Sequence, residues 1–318
     1  MQRRGSALSG ESDRLRRFLF ESAPVRGHWV RLSRAWLEAR EHQSLPPPVM
    51  SLLGESLAAA ALLSASLKFR GTLTLQLEGG AGAVSLLVAQ ATDTRTLRGM
   101  AQTAAAPGVA MPAADGPVAA APIRELVQGG RMVVSVEQGD GMTPWQGIVP
   151  LDGETLAQCL DRYFESSEQL PTMMVLGANA ESAAGLLLQK LPAPGAQGES
   201  AAAAVQDVWE EATALLGTLG ADELIACEPE ELLRRLFGAH DLRLFDGEPV
   251  DFACRCSRER VASMLRGLGQ AEVDSIVGEQ GAITVTCEFC QRPYRFDAVD
   301  AQQLFLSPMG VADPDRIN

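Results

Sequence analysis

Cys254-Arg255-Cys256 and Cys287-Glu288-Phe289-Cys290 are the two stretches that organise this 318-residue chain. Residues 257–286 separate them, a spacer of 30 residues. Within the spacer, Ser257 is placed to cap a helix carrying Val261, Met264, Leu265 and Leu268, and Gly269 is placed to end it. Ala282–Thr286 then reads as a strand entering the second pair. Four cysteines in two close pairs, bridged by a helix and a strand, supply the donor set of a tetrahedral four-thiolate zinc site. A module confined to residues 251–318 is small for an independent core, and modules below about 70–80 residues usually need such a staple.

The first pair has one residue between its cysteines, where structural zinc sites use two to four. Partners within either pair are also near enough for a disulfide. Loops that small restrain the unfolded chain little, so the bonds would be weak and labile. On spacing alone a structural brace and a redox switch both remain open. Arg255, Arg258, Arg260, Arg292 and Arg295 lie near the ligands in sequence. They are either ordinary surface arginines or an offset to the double negative charge of four thiolates on a dication.

Upstream lies an acidic stretch. Residues 199–250 carry 12 acidic and 3 basic side chains, and so most of the chain's net charge of −13. Pro192-Ala193-Pro194-Gly195-Ala196-Gln197-Gly198 introduces it as a linker would. Val205, Val208, Trp209, Ala212, Leu215, Leu216 and Leu219 repeat at the spacing of one helix face, with Asp207, Glu210 and Glu211 opposite. Pro229 opens a second helix that buries Leu232, Leu233, Leu236 and Phe237 and stops at Gly238. Two such faces need a surface to lie on. They either dock permanently on the first module or dock conditionally and serve another partner when released.

Residues 1–198 read as a mixed sheet-and-helix core. Pro46-Pro47-Pro48 precedes an Ala-rich apolar helix over Val49–Leu67. Thr72–Leu77, Val84–Ala91, Met132–Val136, Met173–Leu176 and Gly185–Leu191 read as strands, Leu156–Phe164 as a helix, and Gly139-Asp140-Gly141 as a turn. Strands joined partly by turns and partly by helices predict an α+β class. The expected organisation is a core at 1–198, a helical linker at 199–250 and a small four-cysteine zinc module at 251–318.

Composition narrows the function. With 46% hydrophobic and 21% charged residues the chain can bury a core. The acidic balance, without an aromatic-basic stripe, argues against nucleic acid. Val49–Leu67 contains Glu55 and several small polar residues, so it reads as a buried helix and not a membrane span. Phe18-Leu19-Phe20 is too short for a signal-peptide core, and a cytoplasmic location is expected. Gly79-Gly80-Ala81-Gly82 lacks the Lys-Ser/Thr of a phosphate loop and sits between strands, as a hairpin turn does. His28, His42 and His240 are joined by no motif, and Cys159 and Cys227 read as buried or incidental thiols. No nucleophile elbow or carboxylate pair stands out, so no enzyme is expected. The remaining readings are a zinc-ribbon regulatory module, or a thiol–disulfide oxidoreductase using Cys287 and Cys290. The latter is disfavoured because C-x-x-C follows a strand instead of opening a helix.

Val250-Asp251-Phe252-Ala253-Cys254-Arg255-Cys256-Ser257-Arg258-Glu259-Arg260-Val261, Val285-Thr286-Cys287-Glu288-Phe289-Cys290 and Tyr294-Arg295-Phe296-Asp297 resemble the 33 kDa redox-regulated heat-shock chaperone family. The likeness extends to Arg234-Arg235-Leu236-Phe237, Asp241-Leu242-Arg243-Leu244-Phe245, Arg17-Phe18-Leu19-Phe20-Glu21, Val25-Arg26-Gly27 and Ser167-Glu168-Gln169-Leu170-Pro171-Thr172, nearly the whole chain. Residues 103–120 and 191–203 carry no landmark. The resemblance implies an ATP-independent holdase for unfolding client proteins under oxidative and heat stress. It implies one Zn²⁺ per chain on Cys254, Cys256, Cys287 and Cys290 in the reduced, inactive form. Activation would pair Cys254–Cys256 and Cys287–Cys290 with loss of zinc, and the active form would be a homodimer built largely by the first module. Val208, Trp209, Leu215, Leu216 and Leu219 are then the candidate gate and client surface.

Overall fold

The structure is a computed structural model that describes residues 13–104, 122–138, 144–192 and 199–306. The Gly139-Asp140-Gly141 turn and residues 193–198 of the linker start lie outside the described residues. The fold is α+β, and the chain divides between Ala253 and Cys254 into two compact units.

Two antiparallel sheets build the first unit. One contains β1 (Arg14–Phe20), β2 (Val25–Leu32), β8 (Thr172–Ala178) and β9 (Ala183–Lys190), in the order β1-β2-β9-β8. The other contains β3 (Gly71–Glu78), β4 (Val84–Thr92), β5 (Thr96–Thr103), β6 (Arg131–Gln138) and β7 (Trp145–Val149), in the order β5-β4-β3-β6-β7. Helix α2 (Pro47–Ser66) follows the short α1 (Arg34–Arg40) and packs against strands of both sheets. Leu53, Leu57, Leu62 and Leu63 are all but inaccessible, so a helix long and apolar enough to span a membrane is here the core of the unit. The β3–β4 turn over Gly79–Gly82 directs its amides to protein: Gly79 N–H donates to Ser85 O at 2.9 Å, Gly80 N–H to Val127 O at 2.8 Å and Ala81 N–H to Gln128 O at 2.9 Å. Those donors are already engaged and form no phosphate cradle. Two further helices are α3 (Ile123–Val127) and α4 (Leu156–Ser166), the latter capped by the Thr155 side chain.

Residues 199–250 form α5 (Glu199–Leu216), α6 (Ala221–Ala226), α7 (Pro229–Phe237) and two short strands, β10 (Leu242–Leu244) and β11 (Glu248–Pro249). They fall within the first unit. Their apolar faces meet the side of the β1-β2-β9-β8 sheet that α2 does not cover. Ala212, Leu216, Leu219, Leu224, Leu232, Leu233 and Phe237 cluster there with Phe18, Phe20, Trp29, Leu186 and Leu188. Strand alternation explains why one sheet serves two clusters, since Leu15, Val30 and Leu187 point the other way, into the α2 core. Strand β12 (Asp251–Phe252) pairs in parallel with β5 and ends the unit.

The second unit is a helix pair and a hairpin. Helix α8 (Arg258–Leu268) is capped by the Ser257 side chain, which accepts from Arg260 N–H at 3.2 Å, and it ends at Gly269 with φ of 91°. Helix α9 (Gln270–Gln280), strands β13 (Ala282–Thr286) and β14 (Pro293–Asp297), and α10 (Ala298–Leu306) follow. The core here is small: Ala262, Leu265, Val273, Ile283, Tyr294, Phe296, Ala301 and Leu304. Met264 and Leu268 share the helix periodicity but are about half exposed, because α9 and α10 cover only one side of α8.

Candidate metal centre

Each cysteine pair is placed by a turn beside a regular element. The hairpin fixes the second pair: Cys287 follows β13, and its N–H donates to Arg292 O at 3.0 Å. Its carbonyl accepts from Gln291 N–H at 2.8 Å, and Gln291 adopts a positive φ of 51° to close the turn. The first pair immediately precedes α8, whose cap at Ser257 sets its direction. The result brings all four sulfurs within 4.8 Å of one another. Cys254 Sγ lies 3.6 Å from Cys287 Sγ, and Cys256 Sγ lies 3.3 Å from Cys290 Sγ. Sulfurs at the corners of a Zn–S tetrahedron with bonds of about 2.3 Å stand roughly 3.8 Å apart. The donor type, number and spacing therefore fit a zinc ion. The short contacts cross between the pairs, so proximity by itself does not select disulfide partners.

Backbone and side-chain donors surround the cluster. Cys256 N–H donates to the Cys254 sulfur, and Arg292 N–H to the Cys290 sulfur. The Tyr294 hydroxyl donates to Cys256 Sγ at 3.1 Å. Burial works against ionisation of Cys254 and Cys290 and pushes both thiols up. At Cys256 burial also raises, but hydrogen bonds from Tyr294, Cys290, Cys254 and Cys287 together outweigh it and bring the thiol down to about 7. Tyr294 is thus a hydrogen-bonding neighbour of the cluster that cysteine spacing does not reveal. In the sequence it stands four residues after the last cysteine, at the head of the Tyr294-Arg295-Phe296-Asp297 stretch that carries the family resemblance.

The arginines near the ligands do different things. Arg258 stacks 4.2 Å over the Phe296 ring and bonds to Asp300 at 2.8 Å, so it holds α8 to α10 and β14. Arg260 donates to Arg255 O at 3.0 Å. The Arg292 charge faces Cys290 and Cys256 beside Tyr294. The remaining cysteines are apart from the cluster: Cys159 is buried in α4, where burial pushes its thiol up, and Cys227 follows α6. The histidines stay scattered, with His28 inside β2 and His42 and His240 beside different helices.

In the first unit, Leu216 and Leu219 are buried in the outer cluster, while Val208, Trp209 and Leu215 pack against it partly exposed. Leu219 lies past the end of α5, on the turn to α6.

The family model described as "Hsp33 protein" matches residues 13–297. The "33 kDa chaperonin" of Nitrosococcus oceani is 43% identical over 293 residues, covering 92% of this chain and 94% of that protein. The protein of the same name from Chromobacterium violaceum is 40% identical over 295 residues, covering 92% and 94%. Among solved structures, the 33 kDa chaperonin of Thermotoga maritima superposes with a TM-score of 0.75 at 25% identity, covering 92% of this chain and 97% of that one. These relatives are named as chaperonins and not as enzymes. A match through both the sheet body and the cysteine pairs leaves one assignment: the chain belongs to the Hsp33 family.

Proposed function

We propose that this protein is an ATP-independent holdase chaperone, shut when reduced and zinc-loaded and opened by thiol oxidation. The observation that carries the reading is the four-sulfur cluster within 4.8 Å, in a unit whose own apolar core is a handful of small and medium side chains. Bound there, zinc would cross-link the turn before α8 to the β13–β14 turn, a contribution on the order of 10–16 kcal/mol in small modules. Total domain stabilities are about 5–15 kcal/mol, so this unit folds only while its ligands are thiolates.

Four thiolates give up four electrons to two equivalents of a peroxide-class oxidant, which take up four protons and leave as water. Two S–S bonds form, Cys254–Cys256 and Cys287–Cys290 by the family resemblance. A ligand set turned into disulfides no longer carries the charge that holds a dication. The three-part division at 1–198, 199–250 and 251–318 is then functional: body, releasable linker and sensor. Release of the linker bares the outer sheet face and the α5 face of Val208, Trp209, Leu215 and Leu216 to unfolding clients. We place the active form as a homodimer assembled through the body, in the cytoplasm, with no nucleic-acid or membrane partner.

A zinc-ribbon regulator and a thiol–disulfide oxidoreductase are the competing readings, and C-x-x-C at the end of strand β13 speaks against the second. One experiment tests the holdase reading against both. Zinc content and suppression of client aggregation are measured on one sample before and after peroxide. Zinc loss with gained suppression supports the proposal. Suppression that is unchanged by oxidation, or zinc that stays bound throughout, rejects the redox gate.

A further inference from the structure

Strand β1 has two edges, and they are held very differently. Along one it pairs with β2 over six residue pairs, from Arg14↔Arg31 to Leu19↔Arg26. Along the other, among the described residues, it pairs with the segment 241–250 of the acidic linker alone, through β10 (Phe18↔Leu244 to Phe20↔Leu242) and β11 (Arg14↔Pro249, Leu15↔Glu248). Glu21 N–H donates to Asp241 O, and Phe245 N–H to Arg17 O, each at 2.9 Å. The resident segment is added to the sheet as a peptide adds to a free edge.

Arginines of the body hold that segment. Arg14 Nη1 donates to Gly247 O at 2.8 Å, and Arg16 Nε to Phe245 O at 3.1 Å. Arg16 also pairs with Glu230, and Arg95 Nε bonds Glu248 at 2.9 Å. Arg17 stacks 4.2 Å over the Phe245 ring and has no carboxylate partner among the described residues. Arg17, His28 and Arg95 on the body side, with Phe245, Asp246 and Glu248 on the segment side, line a cavity between them. His28 is 2% exposed, and its Nδ1 has no hydrogen-bond partner among the described residues. In a chain of net charge −13, three of the four residues Arg14–Arg17 are arginines, and they meet the most acidic part of the molecule.

We infer that the outer edge of β1 is a client-binding edge. It takes an extended polypeptide segment in which apolar residues alternate and carboxylates follow, and residues 241–250 occupy it as a resident stand-in. The inference rests on the proposed opening of the linker and names what the opened body selects. Leu242 and Leu244 supply the apolar positions, Glu248 the carboxylate bonded to Arg95, and Asp246 a second carboxylate on the cavity that Arg17 also lines. Nucleic acid would answer the arginines but has no amide ladder to pair with Arg17 O and Glu21 N–H. That favours polypeptide.

The test uses the full chain and a fluorescent decapeptide with the sequence of residues 241–250. A second decapeptide carries Lys in place of its three acidic residues. Binding is followed by anisotropy on reduced zinc-loaded protein, on oxidised protein and on a Phe245→Pro variant. That substitution removes the N–H donated to Arg17 O, so it frees the edge without oxidation. The expected result is that oxidised protein and Phe245→Pro bind the acidic peptide at least about tenfold tighter than reduced wild type and than the lysine peptide, as charge-assisted hydrogen bonds allow. Adding Arg16→Gln and Arg17→Gln to either open form should erase that preference. Preference on Phe245→Pro without preference on oxidised wild type keeps the edge and rejects the redox opening. Equal binding of both peptides to the open forms overturns the edge. So does displacement of the peptide by a single-stranded oligonucleotide of matched charge.

Discussion

The Tyr294 hydroxyl reaches Cys256 Sγ across 3.1 Å from the strand that follows the other cysteine pair. The register places Tyr294 opposite Val285, two residues before Cys287. One side chain therefore ties the sulfur of the first pair to the hairpin that carries the second. Groups that bond to metal ligands in this way typically affect metal affinity by about 10–100-fold. Tyr294→Phe should retain the fold of the hairpin while weakening zinc retention by that order, measured by competition with a chromophoric chelator.

Loss of a ligand should do more. Cys287→Ser removes one of four sulfurs and leaves three, so tight binding of one zinc per chain should disappear. Elemental analysis after dialysis against a chelator checks this. Full retention of zinc in the variant rejects the four-thiolate site.

Disulfide partners are an independent question, because Cys254 Sγ stands 3.6 Å from Cys287 Sγ and Cys256 Sγ 3.3 Å from Cys290 Sγ. Peptide mapping of the oxidised chain should nonetheless find Cys254–Cys256 and Cys287–Cys290. Crosslinks that follow the short contacts instead would still remove the metal but would staple the unit shut. A chain so linked and still active would contradict unfolding as the trigger.

Trp209 packs on the outer cluster while remaining partly exposed. A side chain of this size contributes about 1.5–3 kcal/mol on burial, and a charge placed there lacks a partner. Trp209→Asp should raise hydrogen exchange over residues 205–219 and give partial aggregation suppression while the protein is still reduced and zinc-loaded. Faster exchange with no gain in suppression would show that linker release does not gate activity.

Two carboxyls of the α2 core give the body a pH signature. Burial raises Glu55 to about 7, against a weaker opposing bond from Ser51, and raises Asp161 to about 8. Unfolded carboxyls titrate near pH 4, so the folded chain keeps protons that the unfolded chain releases. The stability from these neutral groups is complete below about pH 4 and is lost as pH rises toward 7 and 8. Glu55→Gln with Asp161→Asn should therefore raise the melting temperature at pH 8 by several degrees and change it little near pH 4. All four tryptophans lie in the first unit, so their fluorescence follows its melting alone.

What the sequence disclosed follows the range of the signal. The cysteine pairs, the Ser257 cap and the α7 boundaries at Pro229 and Gly238 are written within a few residues each, and the structure has them at those places. β1 was not legible as a strand. Leu15 faces the α2 core while Phe18 and Phe20 face the outer cluster, and the intervening arginines find partners more than 200 positions away. β7 was missed for a related reason: Gly147 occurs there because a Cβ would meet the Tyr163 hydroxyl of α4 at 1.9 Å, which no local pattern announces. α6, β10, β11 and β12 are too short for any periodicity to emerge. Tyr294 stood in plain view, but its bond to sulfur exists only because the β13–β14 register brings it there.

The β1-β2-β9-β8 sheet has one face in each of two clusters, and apart from Val250 the α2 cluster draws none of its buried members from residues 199–250. Stripping the outer face leaves the inner packing as it was. A body that keeps its register keeps the template for the returning linker, so on the proposed cycle only the small cysteine unit has to be reduced, re-metallated and refolded.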